Sequence, residues 1–212
     1  MARKLKYDIP GPDWRRTAED LATSGWEVLF GVGSETPCQR VVEIGFGRGE
    51  FITDLAVHSP EVSFLGVEVS FKRVLKLARR VAVMPIDNIR LVQGRAEDLV
   101  CDALEDASVD GFWINFPDPW PKKRHAKHRL VQPTFVSLLA RRLREGGVLR
   151  LATDHRAYAE QMDAVLVAEP LLENVYAPLH WRPEVAGRLH TGYEQEWREE
   201  GRPLHFFEYR RR

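Results

Sequence analysis

Short apolar segments alternate with longer amphipathic ones along most of the chain, and this alternation narrows the possible folds more than any other feature. Such an order is typical of parallel strands joined by crossover helices. Strands are predicted at 40–45, 62–69, 88–93, 109–116 and 148–154, with two late ones near 174–177 and 204–210. Helices are predicted at 51–59, 70–83, 133–143 and 158–168, with Gly146 and Gly147 ending the third. The expected fold class is α/β, a mostly parallel seven-stranded sheet with helices on both faces.

A glycine-rich turn follows the first predicted strand, in which Gly45, Gly47 and Gly49 occupy every second position. Glycine lets the backbone pass close to a ligand without obstruction by a Cβ atom. Open α/β sheets bind ligands at the carboxyl ends of their strands. The dinucleotide fingerprint would place its third glycine at position 50, where this chain has Glu50, whose carboxylate repels a pyrophosphate. The turn therefore favours a ligand without a pyrophosphate.

Two carboxylates flank this turn in the predicted sheet, because Glu43 precedes it and Glu68 ends the second strand. An acidic residue at the end of the second strand accepts hydrogen bonds from ribose hydroxyls. The combination resembles class I methyltransferases, whose cofactor S-adenosylmethionine carries a sulfonium and an amino-acid tail but no phosphate. The resemblance implies a Rossmann-like domain with Glu43 near the positively charged methionyl end. The competing interpretation is a glycine-rich turn of an α/β protein with another ligand.

A proline-stiffened loop follows the fourth predicted strand. Pro117, Pro119 and Pro121 restrict the backbone at the carboxyl end of the sheet, so that Asp118 is aimed rather than mobile. Trp120 offers a flat surface on which a base could stack, although an aromatic side chain in such a loop is more often packed inside. The loop is therefore a second candidate for the wall of a binding site.

The 31 basic and 31 acidic side chains cancel, so binding of a polyanion must come from local clusters. The densest cluster directly follows the proline loop and consists of Lys122, Lys123, Arg124, His125, Lys127, His128 and Arg129. Taken alone, such a run is usually a solvated surface. The histidines of the chain have no partners at metal-ligand spacing, so no metal is expected.

Length and composition predict one globular domain at 37–212, preceded by an N-terminal arm at 1–36 that packs on it and is partly mobile. There is no apolar run of about 18 residues and no secretory signal, which predicts a cytoplasmic protein that does not associate with membranes. Cys38 and Cys101 form no CxxC motif and are expected to be free thiols.

Several motifs together resemble the bacterial tRNA (guanine-N7)-methyltransferase family. They are WEVLFG at 26–31, VEIGFGRG at 42–49, FPDPWPKKRHAKHR at 116–129, ATD at 152–154 and TGYE at 191–194. Because they occur in the family's order and span most of the chain, chance agreement is improbable. The resemblance implies methyl transfer from S-adenosylmethionine to N7 of a guanosine in the tRNA variable loop, with no obligatory protein partner.

The resemblance also implies a role for each matching residue. Asp118 would be catalytic, and it would contact the cofactor together with Glu43, Gly45, Gly47, Gly49, Glu68, Arg95 and Ala96. Lys122, Asp154, Thr191 and Glu194 would bind substrate, and Lys123, Arg124, His125, Lys127, His128 and Arg129 would contact RNA. One position departs from the family, which generally has Asp-Ala where this chain has Arg95-Ala96. An arginine cannot accept a hydrogen bond from the adenine amino group, so Glu97, Asp98 or a backbone carbonyl is expected to accept it.

The expected chemistry depends on positioning more than on a strong base. Guanine N7 has an in-plane lone pair and no proton, and good alignment alone accounts for roughly 7–11 kcal/mol of such a barrier. Fixed carboxylates would stabilise the charge that the purine gains, and Asp118, Asp154 and Glu194 are the candidates. A carboxylate that accepts hydrogen bonds from guanine N1 and N2 would also select guanine. The competing interpretation is that Asp118 caps a turn and Asp154 caps a helix.

Two other functions stay open at the level of sequence. One is a small-molecule methyltransferase of the same fold, for which the basic cluster is only a solvated face, and the neutral net charge favours it. The other is an RNA-binding or partner module that retains a degenerate cofactor fold, and only Arg95 indicates it. All these interpretations require the turn at 45–49 and the Asp118 loop to border one shared cleft, with basic side chains along its rim.

Overall fold

The computed structural model of the protein describes residues 6–31 and 38–212, with the exception of the Lys123 side chain. Within these ranges eight strands form one sheet, and they are β1 (Arg15–Arg16), β2 (Arg40–Ile44), β3 (Ser63–Glu68), β4 (Ile89–Gln93), β5 (Val109–Asn115), β6 (Leu143–Thr153), β7 (Leu172–Asn174) and β8 (His205–Arg211). Their order across the sheet is β1-β4-β3-β2-β5-β6-β8-β7. The strands from β1 to β6 pair in parallel, whereas β8 is antiparallel to both β6 and β7.

Helices cover both faces of this sheet. In the same described ranges they are α1 (Ala18–Phe30), α2 (Glu50–His58), α3 (Phe71–Val81), α4 (Ala96–Asp102), α5 (Pro133–Arg142), α6 (Arg156–Val167) and α7 (Gly192–Glu199), with a 3-10 helix at Lys123–His128. α2 and α3 bury their apolar sides in one cluster, and α1, α4, α5 and α6 bury theirs in a larger one. Phe64 and Leu65 of β3 belong to different clusters, because successive side chains of a strand point to opposite faces.

The predicted α/β class and the mostly parallel sheet are confirmed, but the predicted count of seven strands is wrong for the described ranges. The additional strand is β1, which pairs Arg15 with Leu91 and Arg16 with Val92 at the sheet edge. A strand of two residues is too short to give a periodic pattern. The strand predicted near 174–177 is also placed differently, because β7 ends at Asn174. There the Asn174 side chain accepts a hydrogen bond from the Tyr176 amide (2.8 Å), which turns the chain.

Gly146 and Gly147 also differ from their predicted role, because they lie inside β6, which begins directly after α5. Val109 of β5 is opposite Leu143, while Gly111 is opposite Val148, so the intervening residues of β6 bulge out of the ladder. Gly146 has a φ of +77°, which glycine adopts without strain. The glycines therefore shape a bulge in the strand.

The described part of the predicted N-terminal arm contributes β1 and α1 to the fold. Leu21, Trp26 and Leu29 of α1 are buried in the larger cluster. The predicted boundary at residue 36 falls among residues 32–37, which lie outside the described residues. No helix in the described part of the chain is both long and apolar enough to cross a lipid bilayer.

Because β2 to β6 are parallel, the loops at their carboxyl ends open at one edge of the sheet. These loops carry the glycine turn, the residues after Glu68, the stretch at 94–95, the proline loop and Asp154. The topology therefore places the predicted site residues of these loops on a common edge.

Candidate active site

The glycine turn after β2 is held by the acid at the end of β3. Gly45, Gly47 and Gly49 all have positive φ (+74°, +58° and +72°), a conformation that other residues adopt only with strain. Glu68 is buried, and its Oε2 accepts a hydrogen bond from the Gly47 amide (3.0 Å) while its Oε1 accepts one from the Ser70 amide (2.9 Å). Glu68 therefore fixes the conformation of the glycine turn and also lines the candidate site.

Glu43 has one buried oxygen without a hydrogen-bond partner among the described residues. The side chain is 2% exposed, and its Oε1 accepts a hydrogen bond from Asn115 Nδ2 (3.1 Å), while Oε2 has no such contact. Burial raises the pKa of Glu43 to about 7, although the Asn115 hydrogen bond and the charge of Arg188 oppose this shift. A buried acceptor of this kind is suited to a cationic group.

The proline loop contains two strained residues on either side of Asp118. Phe116 and Trp120 have φ of +53° and +42°, which is uncommon for bulky side chains and concentrates at functional sites. Asp118 is exposed, and no hydrogen bond from the described residues reaches its carboxylate. The turn-capping interpretation of Asp118 therefore has no contact to support it in this part of the chain.

Trp120 does not pack inside the protein, contrary to the interpretation favoured by its loop. Its side chain is 39% exposed, and its ring lies against His125 and His128, with centroids 5.8 Å and 5.4 Å away. The two histidines therefore position an accessible aromatic surface next to Asp118.

Two adjoining cavities, of about 390 Å³ and 350 Å³, form a cleft at this edge of the sheet. The first is lined by Glu43, the glycine turn, Asp154 and Thr191, and the second by Glu68, Arg95, Ala96 and Trp120. Gly45, Arg73, Asn115, Phe116 and Asp118 line both. The prediction that the glycine turn and the Asp118 loop border one cleft is therefore confirmed.

At the position that departs from the family, Arg95 makes an ion pair with Glu97 (Nη2 to Oε1, 3.0 Å). Both side chains line the second cavity, and Asp98 does not. Glu97 is therefore the only one of the two predicted substitutes that borders the cleft, and its carboxylate is shared with Arg95. The contact to an adenine stays a prediction.

Three of the predicted substrate residues have different surroundings. Asp154 lines the first cavity and pairs with Arg202 (3.2 Å), whereas His155 caps α6 by accepting a hydrogen bond from the Tyr158 amide. Thr191 also lines that cavity, and its hydroxyl caps α7 by accepting a hydrogen bond from the Glu194 amide (2.9 Å). Lys122 is exposed and lines neither cavity.

Glu194, the fourth of these residues, is fully buried and does not line either cavity. Its carboxylate accepts hydrogen bonds from Arg188 Nε (3.2 Å) and Arg198 Nη2 (3.0 Å), and His190 Nε2 lies 3.7 Å away. Two guanidinium groups therefore flank the carboxylate. Glu194 therefore lies behind the residues that line the cleft and not at the cleft surface.

Arg188 links this carboxylate to the Glu43 side of the cleft, and sequence reasoning missed it. Its guanidinium is buried, donates to Glu194 and also donates from Nη2 to Asn115 Oδ1 (2.6 Å). It lies over the rings of Phe51 and Trp113, 5.1 Å and 5.0 Å from their centroids. The result is a continuous chain from Glu43 through Asn115 and Arg188 to Glu194.

The predicted RNA-binding segment forms the 3-10 helix and divides into exposed and buried members. Arg124, Lys127 and His128 are exposed and His125 is half-buried, while the side chain of Lys123 lies outside the described residues. Arg129 is only 8% exposed, and its guanidinium donates to the Pro119 carbonyl (2.8 Å) and to Gln161 Oε1 (2.6 Å). Arg129 therefore anchors the proline loop to α6.

No cluster of three or more His, Cys, Asp or Glu side chains that could hold a metal ion occurs in the ranges that the structure describes. Cys38 and Cys101 are free thiols, as expected. That activity needs no metal stays a prediction.

Comparisons with known proteins give consistent results. The family model described as "Putative methyltransferase" matches residues 38–207. A tRNA (guanine-N(7)-)-methyltransferase of Leifsonia xyli subsp. xyli is 44% identical over 184 residues, which cover 87% of this chain and 79% of the relative. One from Burkholderia cenocepacia is 44% identical over 159 residues, and the aligned part covers 75% of this chain but only 61% of the relative's length.

A solved structure is similar in fold. The crystal structure of the 16S rRNA methyltransferase KamB matches with a TM-score of 0.64 at 14% identity, covering 89% of this chain and 93% of that one. At this identity the likeness concerns the Rossmann-like fold alone, and it agrees with the class I architecture predicted from the sequence.

Removing Arg188 should destabilise the fold, because it would leave a buried oxygen of Glu194 and the half-buried Oδ1 of Asn115 without their donor. We expect Arg188→Met to lower the free energy of unfolding by about 3 kcal/mol, since breaking a buried ion pair costs about 3–5 kcal/mol and Arg198 still pairs with Glu194. Urea denaturation measures this. Arg141→Met is the control, because Arg141 pairs with Asp106 at the surface and should cost under about 1 kcal/mol. Equal losses in the two variants would contradict the buried network.

The raised pKa of Glu43 should make stability depend on pH. Between its ordinary value of 4.5 and about 7, the folded state holds a proton that the unfolded state has lost, so the free energy of unfolding falls as pH rises. Glu43→Gln lacks this titration. The free energy of unfolding of Glu43→Gln minus that of wild type should therefore increase across that pH window, by up to about 1.4 kcal/mol per pH unit, and stay constant above it. Urea denaturation over a pH series without ligand tests this, and parallel curves would show that Glu43 titrates normally.

Proposed function

Because the chain belongs to the tRNA (guanine-N7)-methyltransferase family, we propose that it transfers a methyl group from S-adenosylmethionine to N7 of a guanosine in the tRNA variable loop. The family membership predicted from the sequence motifs is thereby confirmed. The observation that carries the proposal is the buried Oε2 of Glu43, which borders the same cleft as the exposed carboxylate of Asp118.

The residues on the Glu43 side fit the proposed cofactor. Glu43 Oε2 is a buried acceptor without a partner among the described residues, which suits the cationic methionyl end. A Cβ on Gly45 would meet no atom within 4 Å, so the backbone is open to the cleft there. Each oxygen of Glu68 already accepts one amide hydrogen bond and can accept another from a ribose hydroxyl. When bound, S-adenosylmethionine supplies an electrophilic methyl group on a sulfonium.

On the substrate side, Asp118 is the carboxylate best placed to act on a purine. It borders both cavities and has no hydrogen-bond donor among the described residues, whereas Asp154 is paired with Arg202 and Glu194 is enclosed by cations. Asp118 accepts hydrogen bonds from guanine N1 and N2 and stabilises the positive charge on the methylated ring. Glu194 acts as a positioning residue, because its carboxylate holds Arg188 and Arg198.

The rim of the cleft suits RNA. Arg124, Lys127 and His128 present donors to phosphates, and Trp120 offers an accessible ring for a base. The family resemblance implies that Lys123 contacts RNA, and we include this contact in the proposal. The protein works on tRNA in the cytoplasm, without an obligatory protein partner and without a metal.

The proposal predicts methylation of unmodified tRNA transcript and not of small acceptors. With labelled S-adenosylmethionine, the label should enter the transcript, and borohydride and aniline cleavage should map N7-methylguanosine to the variable loop. Chelation should leave the rate unchanged. Label that enters a small acceptor and not tRNA would instead support a small-molecule methyltransferase, and binding without turnover would support a non-enzymatic RNA-binding module.

Asp118→Asn should separate catalysis from tRNA binding. Removing the charge that stabilises the transition state is expected to lower kcat by roughly 10²-fold. The Kd for tRNA, measured by filter binding, should stay near that of wild type because phosphate contacts supply most of the affinity. Asp87→Asn is the matched control, since this exposed aspartate precedes β4 at the opposite edge of the sheet. A kcat for Asp118→Asn equal to that of Asp87→Asn would remove Asp118 from the mechanism.

A further inference from the structure

A third cavity, of about 530 Å³, lies beside the glycine turn and is lined by cations. These are Arg48, Lys72, Arg73, Lys76 and Arg80, and no carboxylate of the described residues lines it. Arg48, Arg73, Gly47 and Tyr193 also line the first cavity of the cleft, so the two cavities adjoin. In contrast, both cavities of the cleft contain carboxylates. The lining of the third cavity therefore suits an anion, and the cavity adjoins the cleft of the proposed cofactor site.

The packing of α3 does not require the charges of Lys72 and Lys76. α3 buries Val74, Leu77, Ala78 and Val81 against the sheet, while its outer side carries the basic residues and its eleven residues include no acid. Cations in the first turn of a helix lie near the positive end of its dipole, which is unfavourable. Lys72 and Lys76 are also four residues apart, where like charges repel on a helix surface. A bound anion would offset both effects.

These cations differ in the contacts that they make with other residues. Arg80 Nη2 donates to the Gly49 carbonyl (2.6 Å) and to Thr53 Oγ1 (2.9 Å), so it supports the glycine turn. Arg48 pairs with Glu196 (2.9 Å). Lys72 and Lys76 are exposed and make no ion pair or hydrogen bond with the described residues. These two ammonium groups are free to bind a phosphate as point charges.

The position of the cavity indicates which anion it binds. α3 packs on the face of the sheet that carries α2, whereas the 3-10 helix leads into α5 on the other face. The cleft opens at the edge between them. We infer that Lys72 and Lys76, supported by Arg48 and Arg73, form a second surface for RNA backbone phosphates, so that tRNA contacts the protein on both sides of the cleft. This inference rests on the proposed function.

The salt dependence of tRNA binding tests the inference directly. Each phosphate contact contributes about 0.7–0.9 to the slope of log K against log salt, so K72Q/K76Q should lower the magnitude of that slope by about 1.4–1.8 and weaken binding most at low salt. The affinity for S-adenosylhomocysteine should not change, because neither lysine lines the cofactor cavities. Arg210→Gln is the matched control, since Arg210 is exposed on β8. In the sheet, β2, β5 and β6 separate β8 from β3 and β4, the strands that α3 connects. K72R/K76R keeps both charges and should retain the wild-type slope.

The inference is overturned if K72Q/K76Q has the same slope and affinity for tRNA as Arg210→Gln. It is also overturned if K72R/K76R loses as much slope as K72Q/K76Q, because the effect would then not be one of charge. Loss of binding to phosphatidylserine vesicles, with tRNA binding intact, would assign the face to a membrane surface instead. Failure of the proposed function has a different signature, namely that the wild-type protein itself does not methylate tRNA.

Discussion

The site depends on a chain of hydrogen bonds that begins at a buried carboxylate and ends in the last helix. Glu43 at the end of β2 accepts from Asn115 at the end of β5, and Asn115 accepts from Arg188 (2.6 Å), which donates to Glu194. Because Glu43, Glu194 and the Arg188 side chain are buried, each needs its neighbour to offset the cost of desolvation. The chain therefore couples the strands that carry the glycine turn and the Asp118 loop to α7, whose cap Thr191 lines the cleft. One network fixes both walls of the site.

The parallel sheet could be predicted from the sequence because β2 to β5 and residues 148–153 of β6 are mostly buried segments with a clear apolar character. Other elements give weaker or competing signals. β1 has only two residues, and α4 is short and carries three acids among its seven residues. α1 and α7 do begin with recognisable capping signals, Thr17 with Asp20 and Thr191 with Glu194. In the second case the same residues belong to the TGYE motif, to which the family resemblance assigns substrate binding, so one pattern predicts both a helix cap and a binding site.

Apart from Thr191, the predicted site residues that line the cleft lie at or directly after the carboxyl ends of neighbouring parallel strands, where topology alone makes them neighbours. Arg188 could not be found in this way. It lies in an irregular segment, and its partner Asn115 is 73 residues distant in the sequence. The burial of Arg129 and Glu194 could not be predicted either, because residues in a basic run and acidic residues in a polar segment are usually exposed. Such contacts depend on packing between distant segments, which periodicity does not encode.

We propose that the Glu43 oxygen without a hydrogen-bond partner among the described residues receives the cationic end of the methyl donor in the cleft that Asp118 borders. A crystal structure of the protein with S-adenosylhomocysteine, which retains the amino group, tests it most directly. We expect the ligand to lie between the glycine turn and the Asp118 loop, with its amino group within hydrogen-bond distance of Glu43 Oε2. A ligand bound elsewhere, with no atom of it near that oxygen, would show that Glu43 does not hold the methyl donor.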